Sequence, residues 1–170
     1  VGPITMTTQG VGVNGGLFPG RLFANYGSTF STLGYCATAT CAGSRVTSSS
    51  ANITVNTDRV ASWDTDMNLK VNTSGDVVFR PSQSTGFYEF KSRGQGLAFS
   101  EDVSSVTIGK DQTTDTYVLD IYSNIKINGP IRLYGGRVGI YGNMESTRAG
   151  SEIRAKSNGS VYVYLSKTVK

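Results

Sequence analysis

Val106-Thr107-Ile108-Gly109, Tyr117-Val118-Leu119-Asp120-Ile121-Tyr122, Ile125-Lys126-Ile127-Asn128-Gly129, Ile131-Arg132-Leu133-Tyr134-Gly135 and Val138-Gly139-Ile140-Tyr141-Gly142 follow one another along the chain. Each run alternates apolar and polar residues and then breaks at Gly, Asn, Asp or Ser. Alternation at every second residue is the period of a β-strand, whose successive side chains point to opposite faces. Gly and Asn-Gly supply the backbone angles that tight turns require. The same pattern extends from Asp66 to Leu165 and predicts many short strands with almost no helix.

Strand starts are expected near 67, 76, 86, 96, 105, 117, 125, 131, 138, 151 and 160. Regular spacing of short strands fits a sandwich, a barrel or a β-solenoid. Several strands carry only a bare pair of apolar residues, such as Ile125 with Ile127, Ile131 with Leu133, and Val138 with Ile140. So few inward residues per strand favour an elongated, all-β solenoid or an intertwined, trimeric β-helix-like fibre. The sequence argument for a homotrimer is that one chain buries too little by itself, whereas three chains could share a core and cover their sheet edges.

Composition agrees with β structure. The 170 residues include 21 Gly and only 4 Pro, 10% are aromatic, and only 16% are charged. Residues 1–50 form a separate, Gly-rich and almost uncharged segment, expected to be loop-rich or short-stranded and to pack against a neighbour or another subunit. Residues 51–170 are expected to form a repetitive short-strand shaft or tip domain. The stretch Ser44 to Asn52 is the best linker. Cys36 and Cys41 are the only cysteines, separated by four residues. They suit either a small-loop disulfide, implying an oxidising setting, or two buried free thiols. The start, Val1-Gly2-Pro3-Ile4-Thr5, reads as a mature or excised end.

The net charge of +4 is mild, and most of the excess lies after Lys126. No run of basic residues or recognition-helix pattern points to nucleic acid. No apolar stretch approaches the roughly 18 residues of a membrane span. With no His in the chain, Ser-His and Cys-His catalytic pairs are excluded. The acidic residues are scattered singly, so no paired-carboxylate glycosidase centre is legible. Asp64, Asp66 and Asn68 have the oxygen spacing of a calcium loop, but Leu69 and Gly75 fall where an EF-hand needs Gly and Glu. No catalytic residue, metal ligand or cofactor is therefore expected.

The strand pattern resembles a repeat common in bacteriophage tail fibres and tail spikes. Ser105-Val106-Thr107-Ile108-Gly109, a polar gap, and then Tyr117 to Gly129 are similar to that family's Val-x-Ile-Gly, gap, Tyr-x-Leu-Asp-Val-x-Gly-Asn-Ile-x-x-x-Gly. Gly75 to Pro81 is similar to a further rung of such fibres. The likeness spans about residues 70–142. It implies a trimeric all-β shaft on the tail of a virion, joined to other tail proteins and contacting a bacterial surface polysaccharide or outer-membrane protein. Two other readings stay open. One is an extracellular filament or adhesin subunit that polymerises through the arm at residues 1–35 by strand addition. The other is a polysaccharide-degrading β-helix enzyme.

Aromatic faces stack on sugar rings. Trp63, Tyr134, Tyr141, Tyr162 and Tyr164 are the candidate surface and glycan-binding residues. Tyr162 and Tyr164 share one strand face, opposite Val161, Val163 and Leu165, and are the favoured pair for surface binding or subunit packing.

Overall fold

In the computed structural model the described residues are 4–7, 44–47, 50, 52–56, 60–62, 69–81, 87–92, 97–111, 114, 116–164 and 168–170. Among them there is no helix, and every strand pairing is parallel. In chain order the strands are β1 (Ile4–Thr7), β2 (Ser44–Thr47), β3 (Ile53–Asn56), β4 (Val60–Ser62) and β5 (Leu69–Asn72). Then come β6 (Asp76–Arg80), β7 (Phe87–Ser92), β8 (Leu97–Phe99), β9 (Ser105–Ile108), β10 (Val118–Ile121) and β11 (Ile125–Ile127). The last are β12 (Ile131–Gly135), β13 (Arg137–Ile140), β14 (Met144–Ser146), β15 (Ile153–Ser157) and β16 (Val161–Val163).

These strands stack as a β-solenoid with three faces. The first face is β1-β3-β6-β9-β12-β15 and the second is β4-β7-β10-β13-β16. The third begins as β2-β5-β8 and continues as β11-β14, followed by an isolated parallel bridge from Met144 to Val169. From β2 onward consecutive strands lie on consecutive faces, and most pair with the strand one coil later. β1 and β2, which precede residue 50, belong to the same sheets as the strands after it. The remainder of the Gly-rich segment, Cys36 and Cys41 included, lies outside the described residues, as do Trp63, Asp64, Asp66 and Asn68.

The alternation explains why the coil closes. On the first face Ile53, Val77, Val106, Ile131 and Ile153 stand in register, with Val55, Phe79, Ile108, Leu133 and Ala155 beside them. Leu119, Ile121, Val138 and Ile140 point inward from the second face, and Val71, Ile125, Ile127 and Met144 from the third. All of these except Ile153 and Ala155 in the final coil are 0–2% exposed. Each strand needs only two inward residues because three strands converge on one axis. The bare apolar pairs are therefore sufficient within a single chain. The premise that a single chain buries too little fails on this geometry, since one chain supplies all three walls.

Turns at the corners are tied from coil to coil. Asn124 Oδ1 accepts the Asn143 backbone N–H at 2.8 Å, and Asn143 Oδ1 accepts the Thr168 N–H at 3.1 Å. At another corner a Cβ on Gly129 would overlap the Ser104 carbonyl one coil earlier, so only glycine permits that approach. Tyr117 fills the corner before β10. Its buried hydroxyl donates to the Tyr134 carbonyl and accepts the Lys110 N–H, both at 2.8 Å.

Candidate functional site

The same parity that sends Leu119, Ile121, Val138 and Ile140 inward sends Asp120, Tyr122, Arg137, Gly139 and Tyr141 outward on the second face. The registers Ile121 with Ile140 and Ile140 with Val163 carry this outward row into β16, where Tyr162 lies beside Gly139. Tyr122, Tyr141 and Tyr164 then form a column across three strands. Tyr122 stacks on Tyr141 with centroids 4.5 Å apart and planes at 11°, close to the spacing of neighbouring strands. Tyr164 continues the column at 5.2 Å, tilted by 36°, and is 57% exposed. Tyr162 meets Tyr141 edge-on at 5.8 Å.

A polar chain runs beside the rings. The Tyr141 and Tyr162 hydroxyls are hydrogen-bonded at 2.7 Å, and Tyr162 Oη lies 3.5 Å from Asp120 Oδ1. Asp120 Oδ2 is 3.7 Å from Arg137 Nη2, with the Asp120 side chain only 8% exposed and that of Arg137 43% exposed. The Arg137 guanidinium lies over the Tyr162 ring, 5.4 Å from its centroid, within the range of a cation–π contact. The Tyr162 hydrogen bond, reinforced by partial burial and the nearby Asp120 charge, holds the Tyr141 phenol well above its ordinary pKa. Gly139 forms the floor. A Cβ there would fall 2.6 Å from Asp120 Oδ1, 2.8 Å from Tyr141 Cε2 and 2.9 Å from the Tyr162 hydroxyl. The absent side chain leaves room for these groups to converge.

Of the five aromatic candidates read from the sequence, Tyr141, Tyr162 and Tyr164 come together here. Tyr134 does not. It lies on the first face and is only 7% exposed. Asp111, from the connection after β9, reaches across to Lys156 on β15 at 2.7 Å, and Tyr134 on β12 lies between those strands. Trp63 lies outside the described residues. The expected split of β16 into a buried aliphatic face and an exposed tyrosine face is modified. Val161 and Val163 point toward the core axis yet are 45% and 46% exposed, because β16 ends its sheet. Tyr162, on the outward side, is only half-buried.

Sequence reasoning missed Tyr122, Asp120, Arg137 and Gly139. A signal was present. Leu119-Asp120-Ile121-Tyr122, Val138-Gly139-Ile140-Tyr141 and Val161-Tyr162-Val163-Tyr164 each place Tyr directly after an apolar-x-apolar strand. Aligned coil by coil, that motif predicts the column.

Among the described residues no group of three or more Cys, Asp or Glu is placed to hold a metal ion. No helix among the described residues is long and apolar enough to cross a membrane. No protein-family profile, curated protein or solved structure matches the chain.

Proposed function

We propose that this chain is a shaft or tip segment of a bacteriophage tail fibre that contacts a bacterial surface glycan through its second face. The observation that carries the proposal is the tyrosine column ending in the exposed ring of Tyr164. A rigid parallel stack orders several aromatic rings without cost in flexibility at the moment of binding, and a pyranose ring presents C–H groups that pack on such faces. The polar rim of Tyr162, Asp120 and Arg137 supplies hydrogen-bonding partners for sugar hydroxyls. The likeness of residues 70–142 to tail-fibre repeats supports the same reading. It also implies a homotrimer. With the core closed in one chain, such a trimer would join whole solenoids side by side, and a solution mass reads the copy number.

The reading is one of attachment without catalysis. It is tested by measuring binding of the chain to surface polysaccharides of candidate host bacteria. Tyr164→Ala should weaken binding by about tenfold, in line with the roughly 1–3 kcal/mol lost with a single stacking ring in other ring-on-aromatic sites. Unchanged binding in Tyr164→Ala and Tyr141→Ala together would overturn the site. Release of new reducing ends from the bound polysaccharide would overturn the non-catalytic part.

A further inference from the structure

The Arg137 side chain lies against Tyr162 and Asp120 but shows no hydrogen bond among the described residues. Its guanidinium is confined between the Tyr162 ring and Asp120, yet the nearest carboxylate oxygen is 3.7 Å away, too far for a hydrogen bond. Its Nε is buried without a partner. A guanidinium offers five N–H donors in a planar fork that matches a carboxylate edge-on. Most polar groups that are immobilised and partly desolvated find acceptors. The Arg137 side chain is 43% exposed on the same outward side of β13 as Tyr141, and Asp120, Tyr141 and Tyr162 converge over Gly139 between them.

We infer that this site selects an acidic oligosaccharide, seating a sugar carboxylate on Arg137 while a neighbouring ring lies against the tyrosine column. The inference rests on the glycan reading above and adds the chemical class of the sugar. The Arg137 and Tyr141 backbones are four residue steps apart, about 13 Å at the rise of a β-strand, and their side chains lean toward each other through Tyr162. That spacing suits a short oligosaccharide better than a single sugar. The ring-to-charge path is continuous: guanidinium to Tyr162 at 5.4 Å, Tyr162 to Tyr141 at 5.8 Å, Tyr141 to Tyr164 at 5.2 Å. The Asp120 carboxylate lies 3.7 Å from one terminal nitrogen and offsets part of the guanidinium's charge, so selectivity comes from the geometry of the donors as well as from the field around them. A neutral sugar would leave those donors facing an hydroxyl at best. A carboxylate accepts two of them at once.

The test uses a panel of uronate-containing oligosaccharides of two to four residues, each beside its carboxyl-reduced counterpart, which differs only in carrying CH₂OH. The intact chain should bind at least one acid about tenfold or more tightly than its reduced form, the discrimination expected of a charge-assisted pair. Arg137→Gln should abolish that difference, weakening the acid far more than its reduced form, which loses only a neutral hydrogen bond to the rim, and Arg137→Lys should restore only part of it. Tyr164→Ala should weaken both forms alike. Unfolding midpoints of the variants, matched to the parent, confirm that the fold is intact. Equal binding of acid and reduced sugar, or discrimination that survives Arg137→Gln, overturns the acidic-sugar inference while sparing the glycan site. Binding to no member of the panel overturns the inference. If the tyrosine variants also leave binding to host polysaccharide unchanged, the glycan reading falls with it.

Discussion

Tyr141 is the residue on which the candidate site turns. It touches Tyr122, Tyr162 and Tyr164, and its hydroxyl is hydrogen-bonded to Tyr162. That bond, partial burial and the Asp120 carboxylate all favour the neutral phenol, so its folded pKa is raised. A raised pKa means that the stabilisation is complete below the unfolded-state value of about 10 and is lost progressively as pH climbs above it. Unfolding midpoints measured between neutral pH and about pH 11.5 should fall more steeply at the alkaline end for the parent than for Tyr141→Phe, which has no phenol to ionise. Parallel curves would show that the hydroxyl pair does not form. The column's tyrosines were partly legible in advance. Tyr141, Tyr162 and Tyr164 could be placed in or beside strands from alternation alone. Tyr122 joins them only once its motif is aligned coil by coil, and Asp120 and Arg137 could not be joined to them, because their proximity depends on which residue of one coil lies over which residue of the next.

At the scale of the strand, the bare apolar pairs were plain in the sequence and their burial follows from parity. What parity does not state is how many walls surround them. Ile131 with Leu133, read alone, looks like a strand too poor to hold a core. Leu133 is nevertheless fully buried, because strands of the other two faces close on it. Leu133→Ala should therefore cost roughly 2–5 kcal/mol in chemical denaturation, as expected for a well-packed site that cannot collapse. A loss below about 1 kcal/mol is what a marginal, loosely shared core would give. The corners are equally demanding. Gly129→Ala drives a methyl group into the Ser104 carbonyl of the preceding coil, and should cost at least the roughly 1–3 kcal/mol typical of overpacking. Parental stability in that variant would mean that the coils are not stacked in this register.

Across the whole molecule, stability is distributed as in a stacked array, where each coil is held mainly by its neighbours. Inward residues are 0–2% exposed in the coils of β9 to β14, but Val161, Val163 and Val169 of the final coil are 39–46% exposed. Backbone amides of β16 should accordingly exchange with deuterium well before those of β10, which has a strand on each side. Protection of β16 equal to that of β10 in hydrogen exchange would contradict this gradient and would indicate that another surface covers the last coil in solution. Side-chain charges contribute little to that balance. Glu101, Lys126, Glu145 and Lys170 alternate in sign along the third face at 3.8–4.0 Å, but all are substantially exposed, and such pairs are worth about 0–1 kcal/mol each.

The sequence by itself determined that the protein is all-β, that its strands are short, and which residue of each pair faces inward, because alternation is a local property set by the chirality and pleat of the backbone. It also carried the apolar-x-apolar-Tyr motif and the Asn and Gly residues of the corners. Only the tertiary structure decided that three strands of one chain enclose the core, that Tyr134 is covered, and that Tyr122, Tyr141, Tyr162, Tyr164, Asp120 and Arg137 meet on one surface. Those facts depend on the register between coils about twenty residues apart, which is selected by the summed packing of every inward side chain and is not encoded in any one segment.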